Sequence, residues 1–311
     1  MRDKERVANL EREGTENGIQ MEKVQGRIGG NRDSLLWDTL RAFWSNKTAL
    51  AGFFIVICLL IVAVFAPLLS PYDPYEMDLD NQLLRPSMQH WFGTDMFGRD
   101  LLTRVIFGAR ISLLIGLVPS FIAIAIGGVL GVISGYLGGR TDFWIMRLAD
   151  VVMAFPSLLL AMVVMYTLGA SLFNIFIALS LVGWAGAARV VRSQVLSLKE
   201  KEFIEAARAI GVGDWVIMVR HIFPNCLPSL IVLFTLQIPD AIMSEASLSF
   251  LGVGAQPPMP SWGLLVSRGK EFLFSAPWVA ILPGIAIFLT VLAFNFMGDG
   301  FRDAIDPYMK N

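Results

Sequence analysis

The sequence is short of the residues on which most site chemistry depends, with two cysteines and two histidines among 311 residues. Cys58 lies inside an apolar run and Cys226 at the edge of another, so neither belongs to a disulfide framework and both read as packing residues. With only His90 and His221, and no H-E-x-x-H, an intramembrane zinc enzyme lacks its ligands. A G-x-S-x-G nucleophile elbow is missing too. Gly269-Lys270 comes nearest to a phosphate-binding loop, but Leu264 stands where the earlier glycine is required and Glu271 where Ser or Thr should follow. The chain therefore carries no P-loop.

Charge is scarce as well. Lys and Arg total 25 and Asp and Glu 26, a formal net charge of -1, and no bias of sign points to nucleic acid or another polyanion. Of these charges, 17 lie in residues 1–47, which leaves the rest of the chain in long uncharged runs. Hydrophobic residues make up 55% of the sequence and mean hydropathy is +0.61. This is a multi-pass membrane protein.

Residues 1–33 are polar, charge-mixed and aperiodic, the composition of a disordered tail. From Ser34, Leu36, Leu40, Phe43 and Trp44 repeat at helical spacing beside Arg41 and Lys47, as in a helix lying in the membrane interface; an extension of the first span is the alternative. The first span runs from Thr48 to Leu69 and stops at Pro67 and Pro71, too long for a signal h-region and without a convincing cleavage site. Further spans are expected at 113–133, 149–168, 172–188, 226–252 and 277–298. Six spans put both termini on one side. With the termini cytoplasmic, inside segments hold 19 Lys and Arg and outside segments 6, and without the first 47 residues the split is still 10 to 6. The positive-inside rule selects N-in, C-in.

Gly127, Gly131, Gly135 and Gly139 form a small-xxx-small stripe suited to close helix approach, within the chain or at a subunit interface. Pro119, Pro156, Pro239 and Pro283 lie in or near spans and permit kinks. The most informative segment is cytoplasmic. In Lys201–Gly211, Phe203, Ala207 and Ile210 share one helical face, and Gly211 stands where a helix ends in a left-handed residue. Pro224 is expected to close a second helix before the fifth span, giving helix, turn, helix, span.

Glu205-Ala206-Ala207, Gly211 and Pro224 resemble, in register, the Glu-Ala-Ala loop of ABC importer permeases. His221 at an apolar position and Phe223 in place of leucine depart from the general pattern, while His221-Ile222 is similar to the peptide-importer branch. Four further stretches agree with that branch: Gly93-Thr94-Asp95 with Gly98-Arg99-Asp100 and Gly108-Ala109-Arg110; Glu245-Ala246 through Gly252; Pro257-Pro258 with Pro260-Ser261-Trp262-Gly263; and Gly298-Asp299-Gly300 with Asp306-Pro307. Together they cover nearly everything after Leu35. The chain resembles the second permease subunit of dipeptide and oligopeptide (and nickel) ABC importers.

The resemblance implies an all-α membrane protein of six transmembrane helices with the type I ABC importer permease fold. Its parts are a cytoplasmic tail (1–47), an anchor helix and external segment (48–109), a transmembrane domain (110–299) with a coupling loop at 199–224, and a cytoplasmic C-terminus (300–311). It implies half of a translocation pathway in the cytoplasmic membrane for dipeptides or oligopeptides, with nickel or another small solute as the alternative cargo. The partners it implies are a homologous permease, two ATPase subunits and an extracytoplasmic substrate-binding protein. This chain is expected to catalyse nothing and to bind no cofactor, ATP and Mg²⁺ residing on the partners. Phe203, Glu205, Ala206, Ala207, Ile210, Gly211 and Pro224 become the ATPase-coupling residues. A short rigid helix between two spans can act as a lever, small Ala206 and Ala207 allowing close seating.

Asp240 and Glu245 lie inside the fifth span, where ionisable groups are costly and function is the default hypothesis. Five residues at about 100° each rotate them apart by roughly 140°, so a straight helix does not aim both at one path. Asp240 either lines the path or makes a structural hydrogen bond. Asp240, Glu245 and Trp262 are candidates for the translocation path or an outer gate, Glu245 also for contact with the binding protein, and holding the 253–276 loop would serve Glu245 equally well. A secondary transporter would need coupling-ion sites at broken helices and two repeated halves, of which the sequence supplies little.

Overall fold

The structure, a computed structural model, describes Arg41 and residues 43–305. The expected disordered tail at 1–33, most of the expected interfacial helix and the end of the C-terminal segment lie outside these residues. Residues 43–45 are helical, with Phe43 buried and stacked on Phe301 at 4.5 Å between ring centroids.

Helices carry nearly the whole fold. The anchor helix α1 (Lys47–Val64) starts at Asn46, whose side-chain oxygen accepts from the Thr48 and Ala49 amides at 3.1 and 3.2 Å. It lies against the last helix, α10 (Trp278–Ile305), so closely that a Cβ on Gly52 would come within 2.5 Å of the Ala293 carbonyl. Between them come α2 (Leu101–Leu137), α3 (Gly139–Met153), α4 (Ser157–Leu168) and α5 (Leu172–Leu198). Then follow α6 (Glu202–Ala209), α7 (Asp214–Ile217), α8 (Phe223–Phe250) and α9 (Trp262–Gly269). Among the described residues, five helices are long and apolar enough to cross a membrane, and α3 with α4 make six if that bent pair is one span.

Several boundaries differ from expectation, the fourth span running to Leu198 rather than 188, and three differences bear on the site. The second span begins at Leu101 rather than 113, because the Asp100 carboxylate caps the helix by accepting from the Thr103 amide at 2.8 Å; the segment joining the first two spans accordingly shrinks to 71–100, with one 3₁₀ turn at Leu79–Asn81. The third span, expected to be continuous over 149–168, is broken at Ala154–Pro156 and bent by 88°. Finally, Pro224 closes no helix. It sits in the first turn of α8, and α7 runs into α8 through one π-helical turn, Met218–Ile222, where the Phe223 amide donates to the Met218 carbonyl.

The glycine stripe serves contact within the chain. A Cβ on Gly127 or Gly131 would stand 2.6 Å from the Trp184 and Ala188 carbonyls of α5, and one on Gly135 2.8 Å from the Val195 Cβ. Gly139 lies beyond the contact, at the start of α3. At the other end of the bundle, buried Trp262 pins α9 to α2: its indole Nε1 donates to the Val105 carbonyl at 2.9 Å and its amide to Ser112 Oγ at 3.0 Å. A Cβ on Gly108 would meet that indole at 2.7 Å.

Candidate coupling loop and translocation cleft

Two features of the bundle can serve transport, one at each end of a mechanical chain. The first is the loop between α5 and α8. Its leading helix, α6, ends in a Schellman cap: the Gly211 amide donates to the Arg208 carbonyl at 2.9 Å and the Val212 amide to the Ala207 carbonyl at 3.1 Å, with Gly211 at φ +79°. No heavy atom lies within 4 Å of where a Gly211 side chain would project, so the requirement for glycine is one of backbone conformation.

The three residues expected to share one face of α6 are not equally exposed. Ile204 and Ala207 are buried against Ile217, Met218 and the ends of α2 and α5, whereas Phe203 and Ile210 are 45% and 81% exposed. Ala207 therefore seats the helix on its own chain. Glu205 and Ala206 are exposed, and Trp215 of α7, which the sequence reading passed over, is 69% exposed on the same loop. Phe203, Ile210 and Trp215 form the outward apolar surface of the loop.

Polar contacts fasten the loop to the bundle. Near the C-terminal end of α2 the buried Tyr136 hydroxyl donates to Asp214 Oδ1 at 2.7 Å, and the Arg208 guanidinium lies over the same ring, 5.1 Å from its centroid. On α5, Arg192 is paired bidentately with Asp142 of α3, which also accepts from Ser134 of α2. None of these groups stood out in the sequence, since each partner is distant along the chain.

The second feature is a cleft of about 830 Å³ between α4, α5 and α8. The bend between α3 and α4 opens it, placing Met153, Phe155 and Ser157 at its rim. The α8 wall carries Gln237, Asp240, Ser244 and Ser247. These recur at i, i+3, i+7 and i+10, a polar stripe along one face of the helix that was readable in the sequence.

Of the three predicted path or gate residues, only Asp240 lines the cleft. Glu245 is 1% exposed and accepts from Ser249 Oγ at 2.6 Å and Ser261 Oγ at 2.9 Å; Ser261 in turn accepts the Leu264 amide and caps α9. Glu245 and Trp262 thus hold the loop carrying α9 rather than the cleft, and the rotation of roughly 140° between Asp240 and Glu245 separates them as the helix geometry requires.

A polytopic helical bundle with an outward-facing loop helix and a central cleft is the architecture of a transporter's membrane subunit. Residues 127–311 match the family described as binding-protein-dependent transport system inner membrane component, and residues 34–86 match the N-terminal transmembrane domain of oligopeptide transport permease C. The chain is 47% identical over 266 residues to the dipeptide transport system permease protein DppC of Alkalihalophilus pseudofirmus, an alignment covering 86% of this chain and 88% of that one. It is 48% identical over 271 residues to the glutathione transport system permease protein GsiD of Escherichia coli O157:H7, covering 87% and 89%. Its fold is similar to that of the MetNI methionine ABC transporter in an inward-facing conformation, with TM-score 0.53 and 20% identity over 66% of this chain and 96% of that one. The chain belongs to the family of binding-protein-dependent ABC importer permeases, multi-pass subunits of the inner membrane that work with an ATPase and a substrate-binding protein.

Proposed function

We propose that this chain forms half of an import pathway for short peptides, paired with a homologous permease and driven by two separate ATPase subunits that hold ATP and Mg²⁺. Both termini and the 199–224 loop face the cytoplasm, in keeping with the excess of Lys and Arg in those segments. The 71–100 segment and α9 face outward, toward the substrate-binding protein. This subunit performs no chemistry of its own.

The observation that carries the reading is the loop itself. Its inner face, Ile204 and Ala207, is anchored in the bundle, while Phe203, Ile210 and Trp215 are left outside on a capped, rigid element. Apolar residues so presented gain by insertion into a cleft of a partner, and movement of that partner reaches α2 and α8 through Tyr136 and the continuous α7–α8 helix. The cargo class follows the relatives, named for dipeptide and glutathione transport, and a cleft with one acid, an amide and three serines suits a solute with a cationic amine and amide groups.

Affinity purification of the tagged chain from native membranes tests the assembly. Mass spectrometry is expected to find a second permease and P-loop ATPases in comparable amounts. A stable homodimer without any ATPase would overturn the reading.

A further inference from the structure

Two polar side chains of the cleft wall have no partner. Among the described residues neither Gln237 nor Asp240 makes a hydrogen bond or an ion pair, although both lie within a membrane-spanning helix. A primary amide or a carboxylate in such surroundings costs free energy until a partner reaches it from the cleft.

Their spacing suits one kind of partner. Three residues apart on α8, they are separated by about 4.5 Å along the axis and about 60° around it, with Asp240 nearer the outer face. In an α-peptide the ammonium and the first peptide group are one residue apart, within about 3.6 Å along an extended chain. A carboxylate for the ammonium, followed one turn inward by an amide for the peptide group, matches that end of the cargo in charge, in donor and acceptor, and in order. A divalent metal ion is matched poorly, because the lining offers this one carboxylate and no histidine or cysteine.

The facing wall explains how the amide is held. Gln237 packs against α5 at Gly183, where an added Cβ would collide with its Nε2. One turn nearer the cytoplasmic end of α5, Gly186 also lines the cleft, and a Cβ there would meet nothing within 4 Å. Gly183 therefore leaves the amide its seat, while Gly186 leaves room beside the stripe for a cargo side chain.

We infer that Gln237 recognises the peptide bond: with Asp240 on the cargo's ammonium, the Gln237 amide pairs with the first peptide group, and Gly183 positions it. Every α-peptide carries these two groups whatever its side chains. The pair accordingly separates peptides from other solutes without ranking peptides among themselves. Gln237 has this role only if the chain imports peptides, as proposed above.

The test uses proteoliposomes holding this chain, its permease partner and the ATPases, given binding protein loaded to saturation with one of two cargoes. One is Gly-Gly. The other is its (E)-alkene isostere, which keeps the length, ammonium and carboxylate but has neither carbonyl nor N–H at the centre. Loading is confirmed by native mass spectrometry, so that selection by the binding protein does not enter. The unsubstituted complex is expected to import Gly-Gly about three- to tenfold faster than the isostere, the worth of one hydrogen bond. In Gln237→Leu that ratio should fall to near one. Gly183→Ala, which pushes the amide off its seat, should lower the ratio too, and it carries the test if Gln237→Leu fails to insert. A ratio near one in the unsubstituted complex, or an unchanged ratio in the variants, would overturn the assignment. Failure of the importer reading itself looks different, since the unsubstituted complex would then show no ATP-dependent uptake of Gly-Gly at all.

Discussion

The Tyr136 hydroxyl donates to the Asp214 carboxylate at 2.7 Å, joining two residues 78 positions apart and tying the end of α2 to the start of the α7–α8 helix. Tyr136 also lies beneath Arg208 of α6, so one side chain touches both helices of the coupling loop. Because α2 packs along α5, whose residues line the cleft, this contact joins the loop to the pathway walls.

Removing only the hydroxyl tests that role. Tyr136→Phe keeps the ring under Arg208 and deletes two hydrogen bonds, the one donated to Asp214 and a longer one accepted from Arg208 Nε at 3.5 Å, a loss of about 0.5–1.5 kcal/mol for each. Membrane abundance should be unchanged and ATP hydrolysis by the reconstituted complex largely retained, while uptake per ATP falls. Unchanged uptake per ATP would show that the contact is not part of the transmission.

At Gly211 the φ of +79° faces open space, so substitutions are ranked by backbone conformation alone. Gly211→Asn, which tolerates the left-handed region, should retain most transport; Gly211→Val, β-branched and strained there by at least about 1–2 kcal/mol, should uncouple uptake from hydrolysis with insertion intact. Both variants are to be compared by uptake and membrane abundance together. Equal uptake in the two would show that the cap does not need its conformation.

The glycine stripe predicts a different failure. Gly131→Val places a branched side chain where a single Cβ would already stand 2.6 Å from the Ala188 carbonyl. Overpacking of this kind costs typically about 1–3 kcal/mol, and a backbone obstacle cannot rotate away. Lower membrane abundance and a lower unfolding temperature are expected; at Gly186, where nothing lies within 4 Å, the same change should leave both nearly unaltered.

Asp240→Asn should reduce uptake of all accepted peptides by similar factors if selection occurs at the binding protein and the cleft passes cargo on. Competitive uptake of a peptide mixture, scored per peptide, checks this. A changed rank order at unchanged binding-protein affinity would make Asp240 a selective contact for a peptide amine, since a charge-assisted bond of about 1.5–3 kcal/mol is lost only by cargo that makes it.

Much of this architecture was legible because membrane helices must satisfy their backbones internally and hide few charges. Apolar runs located the helices and the glycine spacing announced a close helix contact, but neither α5 as its partner nor the choice of Pro156, among four prolines, as the site of the break was legible. Partners across the chain were not legible: nothing near Tyr136 in sequence announces Asp214. The inward face of α6 was not assigned from the sequence, because the helix is apolar on two sides, Ile204 with Ala207 and Phe203 with Ile210, and only the packing selects between them. Several stretches that carried the family resemblance are architectural. Asp95 with Arg99 folds the 71–100 segment, Gly108 admits Trp262, and Glu245 with Ser261 secures α9.

The most direct test of the central claim is uptake of a labelled dipeptide into proteoliposomes holding this chain, its permease partner and the ATPases, with binding protein on one side and Mg-ATP on the other. Accumulation above the external concentration is expected only when every component and hydrolysable ATP are present, and it should vanish when the ATPases are omitted. ATP hydrolysis by this chain alone, or concentrative uptake that persists without the ATPases, would contradict the account.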